Sequence, residues 1–547
     1  MKRAGYIITL MIAFWMLAGG LFFTQSVQAK VVSGSCGGET KYRYDSKAKK
    51  LELYGKGVVS ETIRVDEQLG RKNRFFQVKK LVIRQGITSI KDSSVLRYAS
   101  EEEKGLSDDY GLSWGMDLAR DRDDAYEKLY VELPEGFTTI TENMFGDIQI
   151  KELYIPASVT NIDEGAFGAQ IYITNIRVSS NNSKYRSQNG VLYNKKMTTL
   201  ICYPMSKKGS TFVVPDTVRK TAPLSFRGNY YLEKVVLPKN IQKLGGGSFF
   251  DCVILRDVNL EELSHLERIS DYYNKSNKRI MHYIDSEAED TYDHYLNGVD
   301  YSDGWYLYDG QYDGYMNRYG TFAGSAIRTF RMPSNLQYIA SETFRHCNHL
   351  KNFYIGKAFR GKINYGEEGD PDTLFLYYAP IRSLHIDKEN TLYQLQNGIL
   401  YTRDGHILCQ ALKNDDADPQ LTIPDSVTEI ADGAFYRSSD FGTIEVKGNI
   451  EKIGISAFAC AEMGLFHVKG EIGYLDRGSF LKSAISEWRC DGGVKKYEKS
   501  AFNYIDAADG YAIDMNTLTK LYQELLYTNA TTDVSYWVKT IWNWLTM

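Results

Sequence analysis

The chain contains little cysteine and little proline. Its 547 residues include 7 cysteines and 11 prolines. Seven cysteines are too few for a disulfide scaffold in a chain of this length. Three of them, Cys252, Cys347 and Cys460, lie two or three residues after a phenylalanine, and we predict that they are small buried residues at a recurring turn. Disulfide or metal chemistry is the alternative interpretation of these positions.

Excess positive charge and catalytic motifs are absent as well. The formal net charge is −4, which argues against nucleic acid as a partner because phosphate binding needs a basic surface. The eight histidines form no His-Glu-x-x-His pattern, and there is no Gly-x-Ser-x-Gly turn, P-loop or dinucleotide-binding glycine fingerprint. We therefore predict a non-catalytic protein without cofactor or metal. A hydrolase activity housed in an insertion is the less favoured alternative.

The nearest approach to a metal cluster is the run His346-Cys347-Asn348-His349, directly after Phe344. We interpret it as a repeat turn that carries two exposed imidazoles around a buried cysteine.

Long apolar runs are missing after the first residues. Lys2 and Arg3 form a positive start, residues 6–23 are apolar, and residues 27–29 are suited to cleavage, a pattern typical of a secretory signal peptide. We predict cleavage after Ala29 and a secreted or cell-surface protein. An uncleaved segment is long enough to be a membrane anchor, and this is the only membrane contact that the sequence suggests.

The few prolines form a regular frame. Six of them are each followed eleven residues later by phenylalanine: Pro134/Phe145, Pro156/Phe167, Pro215/Phe226, Pro238/Phe249, Pro333/Phe344 and Pro424/Phe435. An apolar residue stands three positions after every one of these prolines, and another stands six positions after five of them, Thr221 being the exception. A fixed internal period indicates one supersecondary unit used many times.

The residues before each anchor alternate in polarity. Positions three and one before it are apolar, as in Leu153/Ile155 and Leu421/Ile423, which is typical of a short strand with one buried face. Successive anchors at 424, 447, 469 and 491 are 22 or 23 residues apart. We therefore predict about fourteen stacked coils with parallel strands and an internal spine of phenylalanines. Two turns with Asn189-Gly190 and Asn397-Gly398 are predicted to carry β-hairpins.

The frame Ile-Pro-x-Ser-Val-x-x-Ile…Ala-Phe at Ile155–Phe167 and Ile423–Phe435 resembles the BspA-type leucine-rich repeat, and the resemblance extends over about residues 33–505. It implies a surface or secreted binding protein, since some members of that family are adhesins for host matrix proteins or other cells. The family's motif residues are structural, so the resemblance implies no functional residue.

The predicted fold is a β-rich solenoid, a leucine-rich-repeat-like array of 22–23-residue coils with parallel strands, insertions and a helical C-terminal cap. Leucines and tryptophans at helical spacing predict the cap, which would cover the last coil. The predicted segments are a signal peptide at 1–29, a small β module at 30–76, the solenoid at 77–510 with insertions at about 96–128, 270–325 and 357–380, and the cap at 511–547.

Two regions are free of the frame and therefore available for recognition. In each strand the residue between two buried ones points outward, and it varies in kind, as at Tyr154, Arg331, His467 and Arg489. A scaffold that presents assorted side chains in a row makes an extended binding surface. A solvated sheet face without a ligand is the alternative interpretation.

The second region is the insertion Asp271–Gly320, which contains eleven tyrosines and eight aspartates. Rigid aromatic side chains bind with a small loss of entropy, so the candidate ligand-binding residues here are Trp305, Tyr306, Tyr308, Tyr312 and Tyr315. A loop that packs on the solenoid is the alternative, and no acidic residue closes a calcium loop.

These observations predict a binding or adhesion protein that recognises a protein or glycan ligand, on host matrix or on another cell surface. The alternative is a structural or assembly component of the cell envelope in which the insertions and the C-terminal tail mediate self-association.

Overall fold

The computed structural model describes residues 30–63, 78–91, 129–273, 318–365, 373–412 and 420–501, with a few short gaps inside these ranges. The predicted signal peptide, the whole insertion at 96–128, the middle of the tyrosine-rich insertion and the predicted helical cap at 511–547 lie outside the described residues. The helical cap therefore stays a prediction.

The described residues form 37 strands and a short 3₁₀ helix at Leu260–Glu262. The strands up to residue 273 are β1 (Val31–Ser35), β2 (Glu39–Asp45), β3 (Lys50–Val59), β4 (Lys80–Ile83), β5 (Ile87–Ile90), β6 (Leu129–Glu132), β7 (Thr139–Ile140), β8 (Ile150–Ile155), β9 (Asn161–Ile162), β10 (Asn175–Val178), β11 (Tyr185–Gln188), β12 (Val191–Asn194), β13 (Thr199–Cys202), β14 (Thr211–Val213), β15 (Lys220–Thr221), β16 (Lys234–Val236), β17 (Asp257–Val258), β18 (Arg268–Ile269) and β19 (Tyr272–Tyr273).

The remaining strands are β20 (Arg318–Tyr319), β21 (Thr329–Arg331), β22 (Tyr338–Ile339), β23 (Asn352–Ile355), β24 (Lys362–Ile363), β25 (Thr373–Leu374), β26 (Ser383–Ile386), β27 (Tyr393–Gln396), β28 (Ile399–Thr402), β29 (Ile407–Ala411), β30 (Gln420–Ile423), β31 (Glu429–Ile430), β32 (Phe441–Val446), β33 (Lys452–Ile453), β34 (Glu462–Val468), β35 (Ile472–Leu475), β36 (Ala484–Cys490) and β37 (Val494–Tyr497).

The chain is a β-solenoid, as the repeat predicted, with about 13 coils rather than the predicted fourteen. The strand that ends at the proline position pairs in parallel with its equivalent in the next coil, in the series β6-β8-β10, β14-β16-β17, β21-β23-β26 and β30-β32-β34-β36. We call these the long-strand sheets. A second parallel series of mostly two-residue strands follows the proline turn, in β5-β7-β9, β13-β15, β18-β22 and β29-β31-β33-β35-β37.

The N-terminal module is joined to both series. β1, β2 and β3 form an antiparallel sheet, and the first half of β3 then pairs in parallel with β4. The second half of β3 pairs in parallel with β5, and the register of this pairing shifts between Gly57 and Val58. One strand therefore provides hydrogen-bond partners to the first coil on two sides.

The proline position begins a tight turn. In five of the six proline copies the proline carbonyl accepts a hydrogen bond from the N–H of the residue three positions later, as from Phe137 to Pro134 at 3.1 Å. The side chain of that third residue is completely buried in all six copies. Thr221 is buried like the apolar residues at its position, because its hydroxyl bonds to the Ser248 hydroxyl at 2.8 Å and accepts the N–H of Gly245.

The predicted phenylalanine spine is present. The rings of Phe226 and Phe249 are stacked with centroids 4.9 Å apart, and Phe458 is stacked between Phe435 at 4.7 Å and Phe480 at 5.0 Å. Phe322 lies inside the predicted insertion 270–325, yet it is a spine residue, stacked 5.3 Å from Phe249. Only part of that segment leaves the coil: β19 and β20 pair antiparallel at its base, so the chain departs and returns at one point.

Both predicted hairpins are confirmed. β11 pairs antiparallel with β12, and β27 with β28. The backbone at Asn189-Gly190 and at Asn397-Gly398 has positive φ at both residues, as a two-residue turn of this kind requires.

Removal of one spine ring should destabilise the protein. Phe458 is fully buried between two rings, so we expect Phe458→Ala to lower the free energy of unfolding by roughly 3–5 kcal/mol. The measurement is urea unfolding followed by tyrosine and tryptophan fluorescence. The matched control is Val213→Ala, at a side chain that is 64% exposed, and equal effects of the two substitutions would contradict a packed spine.

A buried carboxyl makes the stability depend on pH. Burial raises the pKa of Asp432 to about 7 although Lys452 opposes the shift, and its Oδ1 accepts the N–H of Ile455 at 2.8 Å. The folded state thus binds this proton more tightly than the unfolded state, whose pKa is about 3.9. The contribution of Asp432 to stability therefore falls as the pH rises from about 4 to about 7.

We expect the stability of Asp432→Asn relative to wild type to be higher at about pH 8 than at about pH 5, because asparagine keeps the acceptor oxygen without the charge. Thermal unfolding at both pH values measures this. The control is Asp404→Asn. The hydrogen bond from Thr402 holds the pKa of Asp404 below its usual range, so the effect of this substitution on stability should be the same at both pH values. A pH-independent effect of Asp432→Asn would contradict the assignment.

Candidate ligand-binding face

The outward side chains of the long-strand sheets form the candidate face. We call the residue between the two inward ones in each long strand the outer row. The predicted residues Tyr154, Arg331, His467 and Arg489 are all in this row, but they belong to three different hydrogen-bonded sheets. Only His467 and Arg489 are direct neighbours, paired in register between β34 and β36. The four residues are therefore not one compact site.

Arg331 is part of an ordered stack that crosses three coils. Tyr354 and His385 are its register neighbours on β23 and β26. The guanidinium carbon of Arg331 lies 3.5 Å from the ring centroid of Tyr354, and the rings of Tyr354 and His385 are stacked at 4.3 Å with an angle of 11°. Glu261 holds the other side of Arg331 at 3.5 Å, and Ser383 bonds to the His385 ring at 2.9 Å.

This stack orders two exposed side chains and the half-buried ring of Tyr354 before any ligand arrives. A cation over a ring at the surface is worth about 0.5–1 kcal/mol, and the ion pair with Glu261 adds little more. Their effect is to restrict side-chain rotamers, and binding is stronger when fewer rotamers must be frozen.

Sequence reasoning missed Tyr354 and His385. Gly356 and Asp387 stand where proline would mark the end of their strands. The buried Phe353 and Ile355 on either side of Tyr354 keep the alternation of apolar and polar residues that is typical of the repeat. This alternation is the signal that identifies such coils without proline.

The other predicted residues have polar partners as well. Arg177 lies 5.8 Å from the ring centroid of Tyr154 on the neighbouring strand. His467 bonds to Asp491 at 3.0 Å, and Arg489 forms an ion pair with Glu487. The predicted candidates Trp305, Tyr306, Tyr308, Tyr312 and Tyr315 lie outside the described residues.

The cysteines are structural. All seven are free thiols, and six are buried. The Sγ atoms of Cys252 and Cys347 donate to the Phe226 and Phe322 carbonyls of the preceding coil, at 3.1 and 3.0 Å. Burial raises the pKa of Cys347 to about 12. The expectation of small buried turn residues is therefore confirmed for these two, whereas Cys460 is half-buried.

The run from His346 to His349 is a turn of the repeat. His346 has a φ of 56°, and Arg437 and Cys460, two positions after their own spine phenylalanines, have the same left-handed conformation. Both histidines are half-buried rather than exposed as expected. Burial is the main cause that lowers the pKa of His349, followed by Arg328, Lys351 and Arg256. Among the described residues, no group of His, Cys, Asp and Glu side chains has the geometry of a metal site.

Thiol labelling tests the assignment of the cysteines. We expect the native protein to react slowly with a thiol reagent at one residue at most, Cys460, because burial keeps the other six thiols inaccessible and protonated. Unfolding in denaturant without a reductant should expose all seven. Fewer than seven reactive thiols would indicate a disulfide, and loss of the native reaction in Cys460→Ser identifies the reactive residue.

The geometry defines the class of the protein as a parallel solenoid with a leucine-rich-repeat architecture. The family model described as BspA type leucine rich repeat region matches in six copies, at residues 127–208, 191–281, 317–365 and 407–527. The chain belongs to this family. A search of curated proteins found no match. Among the described residues, no helix is long and apolar enough to cross a membrane.

Solved structures of bacterial leucine-rich repeat proteins are similar to this chain. A leucine-rich repeat protein from Eubacterium ventriosum is 16% identical, covers 68% of this chain and 100% of its own, and has a TM-score of 0.32. A leucine rich cell surface protein from Faecalibacterium prausnitzii is 13% identical; the match covers 66% of this chain and 96% of that protein, with a TM-score of 0.33. The pneumococcal vaccine antigen PcpA is 14% identical; the match covers 77% of this chain and 94% of that protein, with a TM-score of 0.38.

Proposed function

We propose that this protein is an exported, non-catalytic binding or adhesion protein. It recognises a protein or glycan ligand on host matrix or another cell surface, through the outer row and the tyrosine-rich insertion. The observation that carries the proposal is the stack of Arg331, Tyr354 and His385. Membership of a family that includes surface and secreted adhesins supports the same conclusion.

The stack supports binding because the fold does not need it. The core is filled from the inward side of the strands, where Phe330, Phe353 and Leu384 are buried beneath the three residues of the stack. A guanidinium, a phenol and an imidazole on the outward side add little to stability. They do offer a positive charge, hydrogen-bond donors and acceptors, and flat aromatic ring faces. Residues with these properties contribute most to binding at interfaces.

We infer that the insertion contributes to the same face, because its two described ends lie close to the stack along the chain. Its base, β19 and β20, immediately precedes the spine residue Phe322, and the stack begins nine residues later at Arg331. Eleven tyrosines between residues 271 and 320 supply rigid aromatic contacts.

Two variants separate the contributions of the insertion and the stack. Tyr273 and Arg318 are paired partners, so an Asn-Gly turn in place of residues 274–317 closes the hairpin without disturbing the coils. The second variant is Arg331→Ala/Tyr354→Ala, and its control is Lys243→Ala on the second sheet series. Binding is measured on an array of extracellular-matrix proteins and glycans.

We expect each of the two variants to bind the wild-type ligand with an affinity lower by at least about fivefold, as loss of a central contact does. The control should bind with the wild-type affinity. Unchanged binding by the turn variant would overturn the role of the insertion. Unchanged binding by both variants, or no array ligand for wild type, would overturn the proposal. Self-association of wild type in light scattering would then favour a structural component of the envelope.

A further inference from the structure

We propose that the face around the stack binds a linear acidic glycan, one that carries carboxylate or sulfate groups along its chain. This inference rests on the proposed function and specifies its ligand. It is carried by a row of basic residues, one directly before the long strand in each of four successive coils, three of which also carry the stack.

The basic row consists of Arg256, Arg328, Lys351 and Arg382, each directly before the long strand of its coil, and all four are exposed. The backbone fixes the alignment of the last three of them. The N–H of Lys351 donates to the Arg328 carbonyl at 3.0 Å, and the N–H of Arg382 donates to the Lys351 carbonyl at 2.9 Å. Paired strands are about 4.8 Å apart, so the cations follow one another at that step along the solenoid axis.

The charge of the row is only partly neutralised. Arg256 has an ion pair with Glu233, at 3.7 Å. Arg328 and Lys351 take part in none of the ion pairs of the described residues. The row is therefore a positive stripe on a chain whose net charge is negative. The lowered pKa of His349, to which Arg328, Lys351 and Arg256 contribute, is consistent with this local potential.

A second row of neutral polar groups lies between the cations and the stack. It consists of Thr329, Asn352 and Ser383, the first residues of β21, β23 and β26, which are in register. The side-chain amide of Asn352 donates to the Thr329 hydroxyl at 3.3 Å. In the three coils of β21, β23 and β26, the chain thus carries a cation, then a hydroxyl or amide, then, two residues further on, a member of the stack.

A linear acidic glycan matches these rows better than an acidic peptide does. Successive sugar rings advance by about the step of the coils, and each ring offers an anionic group beside several hydroxyls. An extended peptide places carboxylates on one side about every 6.7 Å, which is out of step with the coils, and it has no hydroxyls for the neutral row.

The test uses two double variants that each remove two exposed cations on adjacent coils. Arg328→Gln/Lys351→Gln interrupts the basic row. Lys220→Gln/Lys243→Gln is the matched control, since these lysines are bridge partners on the second sheet series. The probes are heparin oligosaccharides, polygalacturonate oligomers, neutral dextran and poly-glutamate, titrated by surface plasmon resonance at low and at high salt. Thermal unfolding verifies that both variants are folded.

We expect wild type to bind at least one of the two acidic glycans, more weakly at high salt, and to leave dextran unbound. The basic-row variant should lose about tenfold in affinity, and the control should stay within about twofold of wild type. Equal losses in both variants, equal binding of dextran or tighter binding of poly-glutamate would overturn the inference. If wild type binds neither acidic glycan but still binds a protein or a neutral glycan on the array, the inference is overturned while the proposed function stands.

Discussion

The spine phenylalanines of this solenoid depend for their burial on the coils before and after their own. The ring of Phe458 is covered by Phe435 and Phe480, and its backbone N–H donates to the Ser479 carbonyl of the following coil at 2.7 Å. Phe226 makes the same contact with Ser248. One coil cannot supply these partners for itself, so the strand and the spine phenylalanine of each coil must stay in register with those of its neighbours, even where a coil is longer. The same register between coils determines which outward side chains are neighbours.

This dependence explains how far the fold could be predicted. The proline, the buried residue three positions later and the phenylalanine are each required by a local contact that recurs, so they are visible as a pattern in the sequence. The second sheet series was not predicted, because two-residue strands such as Lys452–Ile453 are too short to display a period. Phe322 was assigned to an insertion because the chain leaves the coil between β19 and β20, which interrupts the spacing although the spine continues.

The candidate face was harder to predict, because its contacts join different coils. Arg331 and Tyr354 are 23 residues apart, one ordinary coil, but Tyr354 and His385 are 31 apart since the intervening coil is longer. Which residues touch therefore depends on how much of each coil is inserted, and the sequence does not mark those limits. A residue such as Tyr154 could be assigned to the outward side from alternation alone. Its neighbour Arg177 could not be assigned without the strand pairing.

The same fixed register gives the basic row its significance. On a flexible loop, four cations would move apart to lower their mutual repulsion, but parallel strand pairing holds Arg328, Lys351 and Arg382 at one step from one another. Like charges in register are unfavourable, and neighbouring positions show that the fold does not require them, since Glu233 precedes the long strand one coil before Arg256. The outer row of the last coils neutralises its charges, as Glu445 does with Lys469 at 3.1 Å. A stripe left only partly neutralised on such a scaffold is the arrangement expected where further compensating anions belong to a ligand.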